Sequence, residues 1–224
     1  MEFWDEITCE DDSTNIEVCN STFKGGGSVI IQHRVNTKAN LHLVPHNHGV
    51  EIDLRLFNGE LILAHDPFIP GEKFIDWIEN YNHKMLILNV KEDGLEKKIT
   101  EILDQKNLKN YFFLDQPFPT LRKSSLSSLP VALRLSEYEN PIELKDLKIS
   151  WVWLDSFTGD WSILNRHSAW LRNGKFNLCI VSPELQGRNC DFEELNLIVD
   201  TLKKEKLDMT AVCTKNPEKW KQFQ

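Results

Sequence analysis

The chain has 224 residues, 41% of them hydrophobic and 27% charged, enough for one sizeable core without a second domain. Its formal net charge is −8, and seven acids against Lys24 give residues 1–27 a charge of −6, which leaves only −2 on the rest. A near-neutral body behind an acidic leader excludes the basic footprint of a nucleic-acid binder, and no stretch reaches the ~20 apolar residues that cross a bilayer.

Residues 1–27 are polar and end in Gly25-Gly26-Gly27, which predicts a flexible leader followed by one domain over 28–224. A β-rich run, 28–35, opens that domain. Residues 49–57 alternate at period 2 and lead into Asn58-Gly59, a strong hairpin signal, with a return strand at 60–64 ending in His65-Asp66. A helical stretch follows over 71–81. Strand and helix then alternate: strand 85–91, helix 94–106; strand 111–116, helix 121–127; strand 131–137, helix 141–147. The pattern continues with strand 150–157, helix 160–172, strand 177–183, helix 192–206, and strand 209–214 before a terminal turn from Pro217. Apolar runs such as Leu86-Ile87-Leu88 and Leu178-Cys179-Ile180-Val181 suit a parallel sheet buried on both faces. Eight βα units in about 190 residues predict an α/β fold of the (β/α)8 TIM-barrel type. The runner-up, a doubly wound open sheet, lacks a GxGxxG after the first strand.

The five cysteines are odd in number and show no CxxC spacing, so Cys179, Cys190 and Cys213 read as small core hydrophobes. With the acidic start Met1–Glu6 unlike a signal peptide, this predicts a cytoplasmic protein, and pairing of Cys9 with Cys19 would need an oxidising compartment.

Barrel enzymes carry their chemistry at the carboxyl ends of the strands, where residues i and i+2 share a side. Polar pairs recur there: Glu51/Asp53, Asn89/Lys91, Arg134/Ser136 and Trp153/Asp155, joined by His33-Arg34, Asp115 and His65-Asp66. One such pair can be a structural ion pair; so many together converge on a site, because unpaired burial is costly. His46-Asn47-His48 resembles a metal tract but precedes a strand, at the opposite end, and is read as a solvated loop. His42, His83 and His167 are assigned to the surface on the same grounds.

In order along the chain, Ile31-Gln32-His33-Arg34-Val35, Val50-Glu51-Ile52-Asp53, His65-Asp66-Pro67 and Leu88-Asn89-Val90-Lys91 resemble the glycerophosphodiester phosphodiesterases and their sphingomyelinase D-type relatives. The motif content lies in 31–91, while Val181–Leu185 and Cys213–Pro217 look like late strands of the same family. Three departures stand out: Val35 where the family has Gly, a shortened insertion after His-Asp, and Asn89 where the family supplies a third acidic metal ligand.

The resemblance implies a phosphodiesterase acting on a small phosphodiester or a lysophospholipid, with His33 and His65 as acid and base in an order left open. An ordinary His pKa near ~6.5 suits both roles. Arg34 and Lys91 would offset the phosphate charge. Glu51, Asp53 and Asn89 would hold a divalent cation, Mg²⁺ or Ca²⁺, through hard oxygen donors. The competing reading pairs Glu51 or Asp53 with Lys91 or Arg34 and needs no metal. Asp115 can substitute for the missing acid, and Trp153 can pack against a glycerol, choline or lipid moiety, although strand tryptophans more often serve the core. No amphipathic helix argues for membrane docking. The alternative function is a barrel that has lost catalysis and serves as a binding or regulatory module, motivated by Asn89 and Val35. A glycosidase is disfavoured because Glu51 and Asp53 neighbour each other on one strand.

Overall fold

The computed structural model describes residues 27–141 and 147–224. The expected leader, its cysteines and most of the expected 141–147 helix lie outside the described residues.

Ten strands form one curled, mainly parallel sheet: β1 (Val29–Gln32), β2 (Gly49–Phe57), β3 (Glu60–Leu63), β4 (Glu72–Lys73), β5 (Leu86–Val90), β6 (Tyr111–Leu114), β7 (Ala132–Leu135), β8 (Trp151–Leu154), β9 (Asn177–Val181) and β10 (Met209–Thr214). Eight of them run parallel in the spatial order β7-β8-β9-β10-β1-β2-β5-β6. At the remaining junction Phe113 forms a single parallel bridge to Val131, just ahead of β7, and its N–H donates to the Pro130 carbonyl at 2.9 Å. β2 continues past its parallel neighbours and turns through Asn58 (φ 50°) and Gly59 (φ 82°) into antiparallel β3, as the Asn-Gly pair predicts. The helices are α1 (Lys38–Leu41), α2 (Phe74–Ile78), α3 (Glu96–Gln105), α4 (Phe118–Leu126), α5 (Ser162–Gly174), α6 (Phe192–Lys204) and α7 (Pro217–Trp220). The expected 71–81 helix divides into the two-residue β4 and the short α2, because 72–73 pair with Leu63 and Ile62. Neither that strand nor α1, capped by Thr37 Oγ1 accepting from the Asn40 N–H, carries a periodic signal of its own.

Strand alternation sorts the core into layers. Val29, Ile31, Ile87, Phe112, Ala132, Trp151, Trp153, Cys179, Val181, Ala211 and Cys213 pack together inside the curl, and residues of the other parity pack against the helices. Gly49 belongs to the inner layer, where a Cβ would lie 2.4 Å from Ile31 Cδ1 and 2.8 Å from the Met85 carbonyl oxygen, so only glycine fits. The three described cysteines are buried and free, as expected. His46-Asn47-His48 lies at the amino ends of the strands as predicted, but only partly in solvent. His48 is buried, with Nδ1 3.4 Å from Gln32 Nε2, while His46 Nδ1 donates to the Asn82 carbonyl. A cavity of ≈ 540 Å³ opens at that same end beside Leu171, Phe176 and Met209, away from the polar strand ends.

The loop after β8 is gathered by one carboxylate. Glu137 accepts from the Ser156 and Thr158 hydroxyls and from the N–H groups of Phe157 and Thr158. Burial works against its ionisation, but these hydrogen bonds outweigh it and hold the carboxyl at about 2. The bonds therefore stabilise the fold above the ordinary carboxylate range and are lost as pH falls toward 2. Glu137→Gln is expected to cost about 1–3 kcal/mol in urea unfolding and to open the 156–159 loop to hydrogen exchange. Unchanged exchange there would refute the clamp.

Candidate active site

The inner-layer parity carries the strand-end residues into the mouth of the curl. His33 follows Val29 and Ile31, Glu51 and Asp53 follow Gly49, Asn89 follows Ile87, and Lys215 follows Ala211 and Cys213. Arg34 adopts φ 57°, a conformation that most side chains avoid. That turn aims its backbone N–H at Glu51 Oε2 (2.7 Å) while its guanidinium reaches His65 Nε2 (2.6 Å). The other His65 ring nitrogen, Nδ1, donates to Asp66 Oδ1 at 2.7 Å, so the lone pair faces Arg34. His33 Nε2 stands 3.8 Å from Glu51 Oε2, and its Nδ1 is buried without a hydrogen-bond partner among the described residues.

Both carboxylates are sequestered. Asp53 Oδ2 accepts from Asn36 Nδ2 (2.8 Å), and the Asp53 N–H donates back to Asn36 Oδ1 (2.9 Å). Lys91 Nζ lies 3.2 Å from Asp53 Oδ1, within ion-pair range but without hydrogen-bond alignment, and Arg34 Nε lies 3.9 Å from Oδ2. Glu51 Oε1 accepts from Asn89 Nδ2 at 3.0 Å. Burial, then the neighbouring Asp53 charge, pushes Glu51 up to about 7 against the hydrogen bonds from Arg34 and Asn89. His33 moves the other way, down to about 4, through burial and then the charges of Arg34, Lys215 and Lys91, with Asp53 opposing. The ring is therefore neutral at pH 7.

The ion pair of Lys91 with Asp53 is thus realised in the geometry, on the same atoms that Mg²⁺ or Ca²⁺ would need. Among the described residues no three His, Cys, Asp or Glu side chains group as metal ligands. Asp53 Oδ1 and Asn89 Oδ1 are nevertheless buried oxygens with no hydrogen-bond donor. With Glu51 they form a set of two carboxylates and one amide that fits a hard cation. Asp115 is not part of it. At φ 60° it ion-pairs with Arg134, which also holds Asp155 at 2.7 Å and lies 3.6 Å from Glu139. Asp155 further accepts from Gln186 Nε2. The polar strand ends therefore make two clusters, one on β1, β2, β5 and β10 and one on β6, β7 and β8. Trp153 is buried in the inner layer among aromatic and aliphatic neighbours, and Trp161 is buried too, its Nε1 donating to Glu194.

Two residues of the first cluster escaped the sequence reading. Lys215 stands beside His33, whose N–H donates to the Thr214 carbonyl, and its own N–H is held by Glu184 Oε1 at 2.8 Å. Extending the alternation of β10 by one step would have found it. Asn36 lies in a loop and had no signal.

The chain is thus a mixed α/β protein whose curled, mainly parallel sheet carries its charged residues at the carboxyl ends, the end at which α/β folds place their sites. Solved structures similar in fold are a glycerophosphodiester phosphodiesterase from Agrobacterium tumefaciens (TM-score 0.59, 10% identity, covering 87% of this chain and 99% of that one) and a glycerophosphoryl diester phosphodiesterase from Parabacteroides distasonis (TM-score 0.58, 14% identity, 88% and 87%). No family model and no curated protein sequence matches the chain. Among the described residues no helix is long and apolar enough to cross a membrane.

Proposed function

We propose that the curled sheet is a closed (β/α)8 barrel and that the chain is a phosphodiesterase cleaving a glycerophosphodiester or lysophospholipid-type P–O bond. One observation carries this reading: Arg34 joins both histidines to the carboxylate pair, its guanidinium on His65 and its backbone on Glu51 beside His33. A phosphodiester is anionic, and its leaving alkoxide needs a proton. Arg34, Lys91 and Lys215 supply positive charge for the non-bridging oxygens. Neutral His33 takes the proton of the attacking hydroxyl, and His65, oriented by Asp66, serves as the acid in its doubly protonated form, giving the Nε2 proton to the leaving oxygen once Arg34 has turned from it to the phosphate. The fold of the two solved phosphodiesterases supports the same reading.

Glu51, Asp53 and Asn89 would hold Mg²⁺ or Ca²⁺, which when bound supplies Lewis-acid stabilisation of the phosphoryl oxygens. Asn89 offers a carbonyl oxygen in place of a charge, so affinity is expected to be weak. Asn89→Asp sets a third carboxylate against Glu51. Without metal its Tm should fall, and Mg²⁺ or Ca²⁺ should restore it. Calorimetry should show binding at least about tenfold tighter than in the native chain. No binding to either protein would refute the metal site.

The amide that Asn89 turns to Glu51 also favours a second reading, a barrel that binds without catalysing. Phosphorus NMR decides between them. The protein is incubated with glycerophosphodiesters and lysophospholipids in Mg²⁺, Ca²⁺ or EDTA, with a His33→Ala control. New phosphomonoester or cyclic-phosphate signals that vanish in the control support the enzyme, and their absence under every condition leaves the binding module.

A further inference from the structure

The described residues expose five aromatic side chains; four lie in segments leaving the carboxyl ends of parallel strands, and Phe68, after antiparallel β3, follows three residues behind His65, which Arg34 holds at the candidate site. They are Phe68 (94% exposed) after β3, Phe118 (54%) opening α4, Tyr138 (71%) after β7, Phe157 (37%) after β8 and Phe192 (51%) opening α6. Singly exposed apolar residues are ordinary on any surface, but these share the face that holds the candidate active site. Of six exposed aliphatic residues among the described ones, Leu43, Ile75, Leu126 and Leu197 fall on the helices or beyond their ends, while Leu56 lies on the β2 hairpin and Ile69 beside Phe68. Phe68 is the most exposed of the five. It sits between Pro67 and Pro70, next to exposed Ile69, in a left-handed conformation (φ 64°) that holds the ring out in solvent.

The charge of the mouth is divided across this rim. Arg34, Lys91 and Lys215 stand on the β1, β5 and β10 side, where the carboxylates of Glu51 and Asp53 are buried. On the β6–β8 side the described carboxylates Asp115, Glu139 and Asp155 gather around Arg134, beside the Tyr138–Phe157 pair, whose ring centroids are 5.8 Å apart. A zwitterionic headgroup carries the matching division: a phosphate for the cationic side, and an ammonium that aromatic faces and carboxylates attract. Exposed phenylalanine rings are side chains that enter the acyl boundary of a bilayer, and Tyr138 adds a ring whose polar tip suits the headgroup level.

We propose that the rim docks on the surface of a zwitterionic phospholipid and that the substrate is a phosphodiester lipid taken from that surface. The second clause rests on the phosphodiesterase reading above; the first does not. The full chain should co-sediment with phosphatidylcholine vesicles containing lysophosphatidylcholine. Phe68→Asp and Phe118→Asp together should lower the bound fraction at least about tenfold. Hydrolysis of vesicle-held lysophosphatidylcholine should fall with it, while turnover of water-soluble glycerophosphocholine stays within about twofold. Native protein left in the supernatant, or a double variant that sediments like it, overturns the docking surface. So does a native dimer in analytical ultracentrifugation that the double variant dissociates, since the aromatics would then meet a second copy. Equal loss on both substrates overturns the assignment to lipid. Vesicle binding that depends on Phe68 and Phe118, with neither substrate consumed, keeps the surface and removes the phosphodiesterase reading instead.

Discussion

Replacing His33 with alanine is expected to lower kcat/KM by about 10²–10⁴, the usual contribution of a positioned acid or base, while leaving the fold intact. Its Nδ1 makes no hydrogen bond among the described residues and its Nε2 reaches Glu51 only at 3.8 Å, so the ring holds little structure together. An unchanged circular dichroism spectrum and a Tm within a few degrees would separate lost chemistry from lost folding. The ring's pKa is the second readout. Burial and the surrounding cations hold it at about 4, and NMR titration in metal-free buffer should find it there. Lys215→Ala removes one of those cations and should move the titration upward. A His33 that titrates in the ordinary histidine range would show that burial and the neighbouring cations do not set its pKa, while leaving its assignment as base in place. Retained activity in His33→Ala would undo the two-histidine mechanism altogether.

The largest stability loss is expected from Arg134→Met, about 3–5 kcal/mol, because it leaves Asp155 buried with Gln186 but no cation. For a chain of this size that corresponds to a fall in Tm on the order of 10 °C. Burial pushes Asp155 up to about 6 in spite of the Arg134 attraction, so the carboxylate's desolvation already exceeds what the pair returns. Asp155→Asn is therefore expected to cost far less than Arg134→Met, and the double variant less than the sum of the two. The pH dependence follows from the same shift. Between an ordinary Asp pKa near ~4 and the native value of about 6, the native chain holds a proton that the unfolded chain has released. This group's contribution is thus complete below ~4 and is lost as pH rises through 6. In Arg134→Met the deficit should be smaller at pH 5 than at pH 8, measured by urea unfolding at each pH. A deficit independent of pH would mean that lost packing, and not the bared carboxylate, is responsible.

The parallel strands were legible because a sheet buried on both faces demands continuous apolar runs, and those survive in any context. Leu86–Val90 and Asn177–Val181 fall within the expected ranges, and 209–214 matches at both ends. The ends of several others were overrun: 111–116 stops at Leu114 and 150–157 at Leu154. There the backbone leaves the ladder to place Asp115 and Asp155, and alternation by itself does not mark where pairing ceases. Short elements were missed where tertiary pairing creates them, as β4 does against β3.

The candidate site divides the same way. Strand alternation was enough to bring His33, Glu51, Asp53, Asn89 and Lys91 to one end of the sheet, because side-chain direction is a local property of the backbone. It could not separate partners, since pairing depends on which strands are neighbours around the curl. Asp115, a candidate substitute ligand by its position, is held by Arg134, and Trp153, open by position to a substrate contact or to the core, packs within the inner layer.

By itself, then, the amino-acid sequence determined the order of most strands and helices and the end of the sheet that carries the charge, both set by residue spacing along the chain, while the pairing of His33 with His65 came from the resemblance. Only the tertiary structure decided that Arg34 joins the two histidines, that Lys215 stands beside His33, and that five aromatics from separate loops share one face. The residues each of these features joins come from separate elements, and the curling of the sheet around its core is what brings them together.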